Sequence, residues 1–434
     1  MKKTYVIVEY DSFTYNEAAQ SEHLHFLPQP TFDQLEQFIL ANKQDSDTSP
    51  LELMSISSKR GVGKIISAKN YVGLITMKNG TVIEILPKLY NKDNVGSEIE
   101  IKRVFLEMLK SLKEIPFKHF NVASLHIEKN SVFEIFIRMF IEETYTLVKR
   151  GLKSAYMAQQ DNEYFYKGKL LVSQHIIANI AHKERFFIEY DVFNVNRAEN
   201  KLVKATLLFL RKLTSSTTSQ RELRTLLTAF EAVDPSINYE VDFGKIISNR
   251  NMKEYENILK WCRVFLLNKS FTTFSGSQVA YALLFPMEKI FESYVAVKLN
   301  QALDKSYYQM KTQDRMYHLF DEPERRFLLK PDIVVQHDNS TIVLDTKWKL
   351  LSMTNSNYGI SQADMYQMYA YSKKYNSQLV ILLYPWNQRV KDLTKPITYH
   401  SKDKVTVLIH FVNLLEMKES IQQIIMQIKE CMRI

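Results

Sequence analysis

Two aspartates and a lysine in the stretch LKPDIVVQHDNSTIVLDTKWKLL define the chemistry open to this chain. Asp332 opens an apolar run of Ile333, Val334 and Val335, and His337-Asp338-Asn339-Ser340 supplies a turn. Ile342, Val343 and Leu344 then lead back to Asp345-Thr346-Lys347. In a hairpin with that turn, the start of the first strand lies beside the end of the second, so Asp332 and Asp345 converge. Asp345 and Lys347 are two apart on a strand and point to one face. Two carboxylates and an ammonium at one point suit hydrolysis of a phosphodiester. Oxygen ligands of this kind take Mg²⁺, which keeps its own waters and accepts one or two carboxylates. Such an ion offsets charge on phosphate and lowers the pKa of a bound water. A lysine beside it orients that water or stabilises the transition state. The plainer alternative is a hairpin in which Asp345 and Lys347 form a salt bridge.

The flanking elements add polar groups. The helix preceding the hairpin, PMEKIFESYVAVKL, has an apolar face of Met287, Ile290, Phe291, Tyr294 and Val295. Glu288 and Glu292, one turn apart, border that face. Glu292 is the better candidate for a third metal ligand, and Glu288 reads as a solvated helix charge. The following helix, ADMYQMYAYSKKY, puts Gln367 and Tyr371 on one face. They can contact a substrate phosphate or the attacking water; an aromatic packing stripe is the competing reading.

The elements that must position these groups are read from pattern. The chain has 434 residues with a net charge of +9, an apolar fraction of 45% and a charged fraction of 24%, ordinary for a globular protein of two to four domains. Disordered and collagen-like classes drop out. No apolar run has the ~18–20 residues of a membrane span, and MKKTYVIVEYDSF lacks a signal-peptide core, so a cytoplasmic protein is expected. Cys262 and Cys431 form no Cys-x-x-Cys pair, which excludes a cysteine zinc site and a disulfide scaffold. His175 and His182 have no third ligand near them. RGVGKI at 60–65 resembles a phosphate-binding loop, but Ser58 stands at its first glycine position and Ile65 at its hydroxyl position. The positive charge hints at a polyanion and is spread along the chain.

Three segments follow. Residues 1–100 read as a β-rich domain. YVGLITMKNGTVIEILPKLY predicts a hairpin with Asn79-Gly80 in a type I′ turn, ended by Pro87, and QDSDTSP at 44–50 reads as a loop. Residues 101–270 read as helical, with Ser131 capping a long helix that ends at Gly151. A β and loop excursion at 152–195 interrupts them. FTTFSGSQ marks a boundary near 271. Beyond it, to 434, the order is helix 285–301, strands near 326–336 and 341–348, helix 361–375, strands 378–384 and 404–411, and helix 412–430. That order predicts an α/β core around a central mixed sheet, and a multidomain α+β and α/β chain overall.

Glu292, Pro331-Asp332, Asp345-Thr346-Lys347 and Gln367-x-x-x-Tyr371 together resemble the PD-(D/E)XK nuclease superfamily, in its branch with a Gln-x-x-x-Tyr element. VIEILPKLY, YFYKGKLLV, NRAENKLVKATL, MEKIFESYV, ADMYQMYAY and LLYP extend the likeness to McrC-like nuclease subunits of McrBC- and LlaJI-type restriction systems, over roughly 80–385. The first ~75 residues match least. The resemblance implies a C-terminal restriction-endonuclease-like core in which Asp332, Asp345 and Glu292 hold Mg²⁺ or Mn²⁺, with Lys347, Gln367 and Tyr371 beside them. It also implies cleavage of double-stranded DNA in foreign-DNA defence and an McrB-like AAA+ GTPase ring as partner, and it leaves open whether two nuclease domains pair for a double-strand break. By the same analogy the excursion, with Lys167, Lys169 and Arg185, contacts that ring and stimulates its GTPase. Two rivals stand beside this reading. A stand-alone or recombination-type nuclease would cut without an NTPase, and a scaffold that only activates a ring would have no need of the charged cluster.

Overall fold

The computed structural model describes residues 4–41, 53–77, 79–89, 97–112, 131–246, 253–267, 280–377, 379–393 and 396–432. The expected loop at 44–50 and the boundary stretch at 271–278 lie outside them. The chain forms two compact units. One joins the segment up to Glu128 to the segment from Phe271 onward, and the other spans Lys129–Ser270. The β-rich N-terminal segment and the C-terminal α/β segment, read from sequence as separate domains, therefore share one unit. Among the described residues, no helix is long and apolar enough to cross a membrane.

One strand shows why the two segments join. Ala280–Pro286, an unbroken run of mostly apolar residues, completes a four-stranded sheet in the order Thr4–Val8, Val82–Leu86, Tyr71–Met77, Ala280–Pro286. Its register runs antiparallel to Tyr71–Met77, with Leu283 opposite Leu74 and Leu284 opposite Gly73. A second sheet, ordered Leu24–Phe26, Ser12–Thr14, Gly63–Ala68, Met54–Lys59, and the helix Gln29–Ala41 close over a shared core that includes Phe13, Phe32, Phe38, Ile75 and Leu284. Gly73 is required at its position. Its φ is +143°, and a Cβ there would sit 2.1 Å from the Leu283 carbonyl oxygen. Gly73→Ala is expected to cost about 3–5 kcal/mol by pushing the two backbones apart, read as a depressed midpoint in thermal unfolding.

The Asn79-Gly80 turn forms, but not as type I′. Gly80 has a φ of +83°. Gly80 N–H donates to Met77 O, and Met77 N–H to Thr81 O. The connection is one residue longer than expected, a turn followed by a left-handed glycine, for which a single positive φ suffices.

The C-terminal segment builds a six-stranded mixed sheet ordered Gln309–Thr312, Ile333–His337, Ser340–Thr346, Leu379–Pro385, Thr406–Val412, Ile397–His400. Its central strands Ser340–Thr346, Leu379–Pro385 and Thr406–Val412 run parallel, and the outer ones antiparallel. LVILLYP is buried throughout, as a strand covered on both faces must be. Helices Met287–Ala302, Gln362–Lys374 and Met417–Met432 pack on it. The strand expected near 326–336 is two strands, Arg326–Leu328 and Ile333–His337, because Pro331 interrupts the ladder. The edge strands Gln309–Thr312 and Ile397–His400 escape sequence pattern, being short and largely polar.

A buried carboxylate ties the N-terminal sheet to this core. Glu9 accepts the Trp348 indole N–H on both oxygens, at 3.0 and 3.1 Å, and the Lys88 backbone N–H at 2.9 Å. Burial raises its pKa to about 7, against the opposing pull of Lys88. The folded protein therefore holds this proton more tightly than the unfolded chain does. Stability falls as pH rises from about 4.5 to 7, by roughly 3 kcal/mol in all. Glu9→Gln lacks that proton, so its unfolding midpoint relative to wild type should climb between pH 5 and pH 8; a constant difference across that range would refute the assignment.

The other unit is mainly helical. Ser131 caps the helix Val132–Arg150 and Gly151, with φ +89°, ends it, as the sequence indicated. Phe136, Phe140, Trp261 and Phe265 form its aromatic core. The buried Glu134 accepts hydrogen bonds from Thr214, Ser215 and Ser216. The excursion is a three-stranded sheet, Ala155–Glu163, Phe186–Asn194 and Lys169–Leu170, with the helix Val172–Ala178. His182 lies beyond that helix, so it shares no helical face with His175.

Candidate active site

The hairpin forms as its sequence implies. Ile333 pairs with Leu344 and His337 with Ser340, leaving Asp338-Asn339 as the turn, with Asp338 at φ +48°. Asp332 and Asp345 flank the Ile333–Leu344 pair on the same side, at the open end of the hairpin. Asp332 Oδ2 accepts the Thr346 backbone N–H at 2.7 Å and the Thr346 hydroxyl at 2.6 Å. Asp345 is almost fully buried, and its Oδ2 lies 2.7 Å from Lys347 Nζ. That contact is a close ion pair, so the Lys347 ammonium engages the buried Oδ2.

Lys347 continues the network. Its ammonium donates to Gln367 Oε1 at 3.0 Å, and Gln367 Nε2 donates to the Tyr371 hydroxyl at 2.7 Å. Asp364 lies 3.9 Å from the same ammonium. Gln367 and Tyr371 therefore belong to the polar cluster, although Tyr371 also packs in the apolar core. Glu292 reaches the cluster indirectly. Gln313 Nε2 donates to Glu292 Oε1 and sits 3.5 Å from Asp332 Oδ1. Glu288 lies elsewhere, lining a cavity with Lys88 and Trp348.

The electrostatics are those of a crowded, partly dry site. Burial raises the Asp345 pKa and the nearby Asp332 raises it further, against the pull of Lys347. Burial also raises Asp332, opposed by the two Thr346 hydrogen bonds. Glu292 is pushed up to about 7 by burial and then by Asp332. Burial would lower Lys347, but Asp345 outweighs it and the ammonium is held above its ordinary value. Perturbed groups gathered at one point make this a candidate functional site.

Two convergent carboxylates suit a hard divalent cation that retains its own waters. Among the described residues, no group of three or more His, Cys, Asp or Glu side chains is arranged to hold a metal. Asp332 and Asp345 are the two convergent oxygen donors, and Glu292 is turned toward Gln313. Sequence reasoning missed Gln313, Thr346 as a partner of Asp332, and Asp364. Thr346 was visible between Asp345 and Lys347. Gln313 follows a short edge strand and has a φ of +52°, so no local pattern announces it.

A family model, described as McrBC 5-methylcytosine restriction system component, matches residues 66–385. The chain is thus a component of the DNA restriction class of proteins. It belongs to the McrBC family. A comparison with curated protein sequences gives no match. Among solved structures, it is similar to a chain of a refined half-complex from the tetradecameric assembly of Thermococcus gammatolerans McrB AAA+ hexamers with bound McrC. The TM-score is 0.72 at 19% identity, covering 98% of this chain and 100% of that one. A chain of the cryo-EM structure of the Thermococcus gammatolerans McrBC complex gives a TM-score of 0.51 at 20% identity, covering 70% and 89%. At these identities the likeness concerns the fold.

Proposed function

We propose that the chain is the nuclease subunit of an McrBC-like restriction complex. It would cleave double-stranded DNA with Mg²⁺ and act with an McrB-like AAA+ GTPase ring. The observation that carries this reading is the meeting of Asp332, Asp345 and Lys347 at one end of the six-stranded sheet. Bound there, Mg²⁺ would supply charge neutralisation on the phosphate and an acidified water. Asp332 and Asp345 would hold it, and Thr346 fixes the orientation of Asp332 through two hydrogen bonds. Lys347 is placed to stabilise charge on the phosphate, its ammonium steered by Asp345 and by Gln367, which Tyr371 in turn orients. Glu292, its carboxyl pushed up to about 7 by burial, is held at the edge of the cluster by the Gln313 amide.

The ring contact is assigned to the excursion, with its chemistry revised. Lys167 is paired with Glu163 at 3.2 Å and lies over the Tyr190 ring, and Arg185 stacks on Tyr164 and donates to its hydroxyl. Lys167 and Arg185 are engaged within the excursion itself, and Lys169 is exposed. The excursion's exposed residues also include large apolar ones: Phe165, Ile177 and Ile180 are each at least three-quarters exposed. These exposed apolar side chains are the contacts we propose for the partner.

The test is plasmid cleavage by the purified chain with Mg²⁺, on methylated and unmethylated DNA, with and without the partner ring and GTP. Cleavage that needs the ring, GTP and methylated DNA supports the proposal. Cleavage by the chain alone supports a stand-alone nuclease, and no cleavage under any condition leaves only the ring-activating role.

A further inference from the structure

Lys347 is held from both sides along the chain. Toward its N-terminus, the strand Ser340–Thr346 ends with Thr346 bonded to Asp332, and the Lys347 N–H donates to Leu383 O at 2.9 Å. Toward its C-terminus there is no further strand, and Trp348 is fixed instead by residues from the opposite end of the sequence. The Trp348 carbonyl accepts Lys88 Nζ at 2.6 Å, its indole N–H donates to Glu9, and its ring lies 5.1 Å from the same ammonium. Phe291, one residue before Glu292, packs on the indole at 5.3 Å between centroids. A cavity of about 1340 Å³ adjoins this grip, with Glu9, Lys88, Trp348, Glu288 and Arg389 in its wall, while Glu9 and Trp348 are themselves buried. Hydrogen bonds to a single residue fix the peptide that carries Lys347.

We propose that Glu9 and Lys88 of the N-terminal sheet are positioning residues for Lys347, acting through Trp348; the inference rests on the nuclease reading of the site. The N-terminal sheet thereby takes part in building the reaction centre rather than only capping the core. Displacing a reacting group by about 1 Å costs on the order of 10²-fold in rate. Lys88→Met and Trp348→Phe should therefore lower kcat for DNA cleavage roughly 10- to 100-fold by the same argument. The KM for DNA and the Mg²⁺ concentration at half-maximal rate should stay within about twofold, because neither Asp332 nor Asp345 moves. Glu9→Gln, which keeps an acceptor for the indole, should recover most of the rate that Glu9→Ala loses.

A second measurement does not depend on cleavage. Amine-selective labelling of the full chain, read by mass spectrometry, should modify Lys347 several-fold faster in Lys88→Met and Trp348→Phe than in wild type. The remote and exposed Lys64 would serve as the internal control. If wild type fails to cut DNA, the nuclease reading falls while the labelling still reports on the clamp. Unaltered Lys347 labelling in folded variants, or a rate loss confined to KM, would overturn the positioning role.

Discussion

Asp345→Asn is expected to abolish Mg²⁺-dependent DNA cleavage, by a factor on the order of 10³ or more, without lowering the unfolding midpoint at pH 8. The two halves of that outcome have one cause. Asp345 is buried beside Asp332, and both its burial and that neighbour disfavour its charged form. Since its folded pKa lies above the unfolded one, its ionisation costs stability as pH rises through that interval. Asparagine keeps the shape and removes the cost, while Lys347 loses its charged partner. Loss of activity with stability kept or raised is the pattern of a residue retained for chemistry. Plasmid nicking and thermal unfolding of the same preparation would check it. Cleavage within tenfold of wild type would remove Asp345 from the site, and a collapsed midpoint would make it structural.

The second large effect belongs to the excursion. Phe165 is 82% exposed and Ile177 77% exposed, so neither supports the fold of its own unit. Changing both to serine is expected to weaken binding to the AAA+ ring by ~10²-fold or more, as loss of an interface hot spot does, and to abolish stimulation of its GTPase. The unfolding midpoint should move by less than about 2 °C, since exposed positions contribute little to stability. Pull-down and GTP turnover would show it. Intact stimulation in the double variant would move the ring contact elsewhere.

Much of the site was legible because its parts are local. Asp332, the turn and Asp345 lie within one hairpin, and the turn between the two apolar runs fixes which ends meet. Gln367 and Tyr371 follow from helical spacing, and the structure joins them to Lys347. What the sequence did not disclose depends on partners far along the chain. Glu288 and Glu292 look alike on a helix, and only the fold sends one to Gln313 and the other to the cavity beside Lys88. The strand Ala280–Pro286 was not separated from the helix after it, because a short apolar run has no period of its own. Its partner strand lies some two hundred residues earlier.

That late partner bears on how the chain is made. Tyr71–Met77 leaves the ribosome long before Ala280–Pro286, and the whole helical unit is synthesised between them. At ~5–20 residues per second the interval is ~10–40 s. Throughout it, the N-terminal sheet presents an unpaired, largely apolar edge, which is a template for pairing with another nascent chain. The helical unit, continuous in sequence, can fold within that time. Any truncated product ending before residue 280 would thus combine a finished helical unit with an open sheet, and that species is the one for a chaperone to hold.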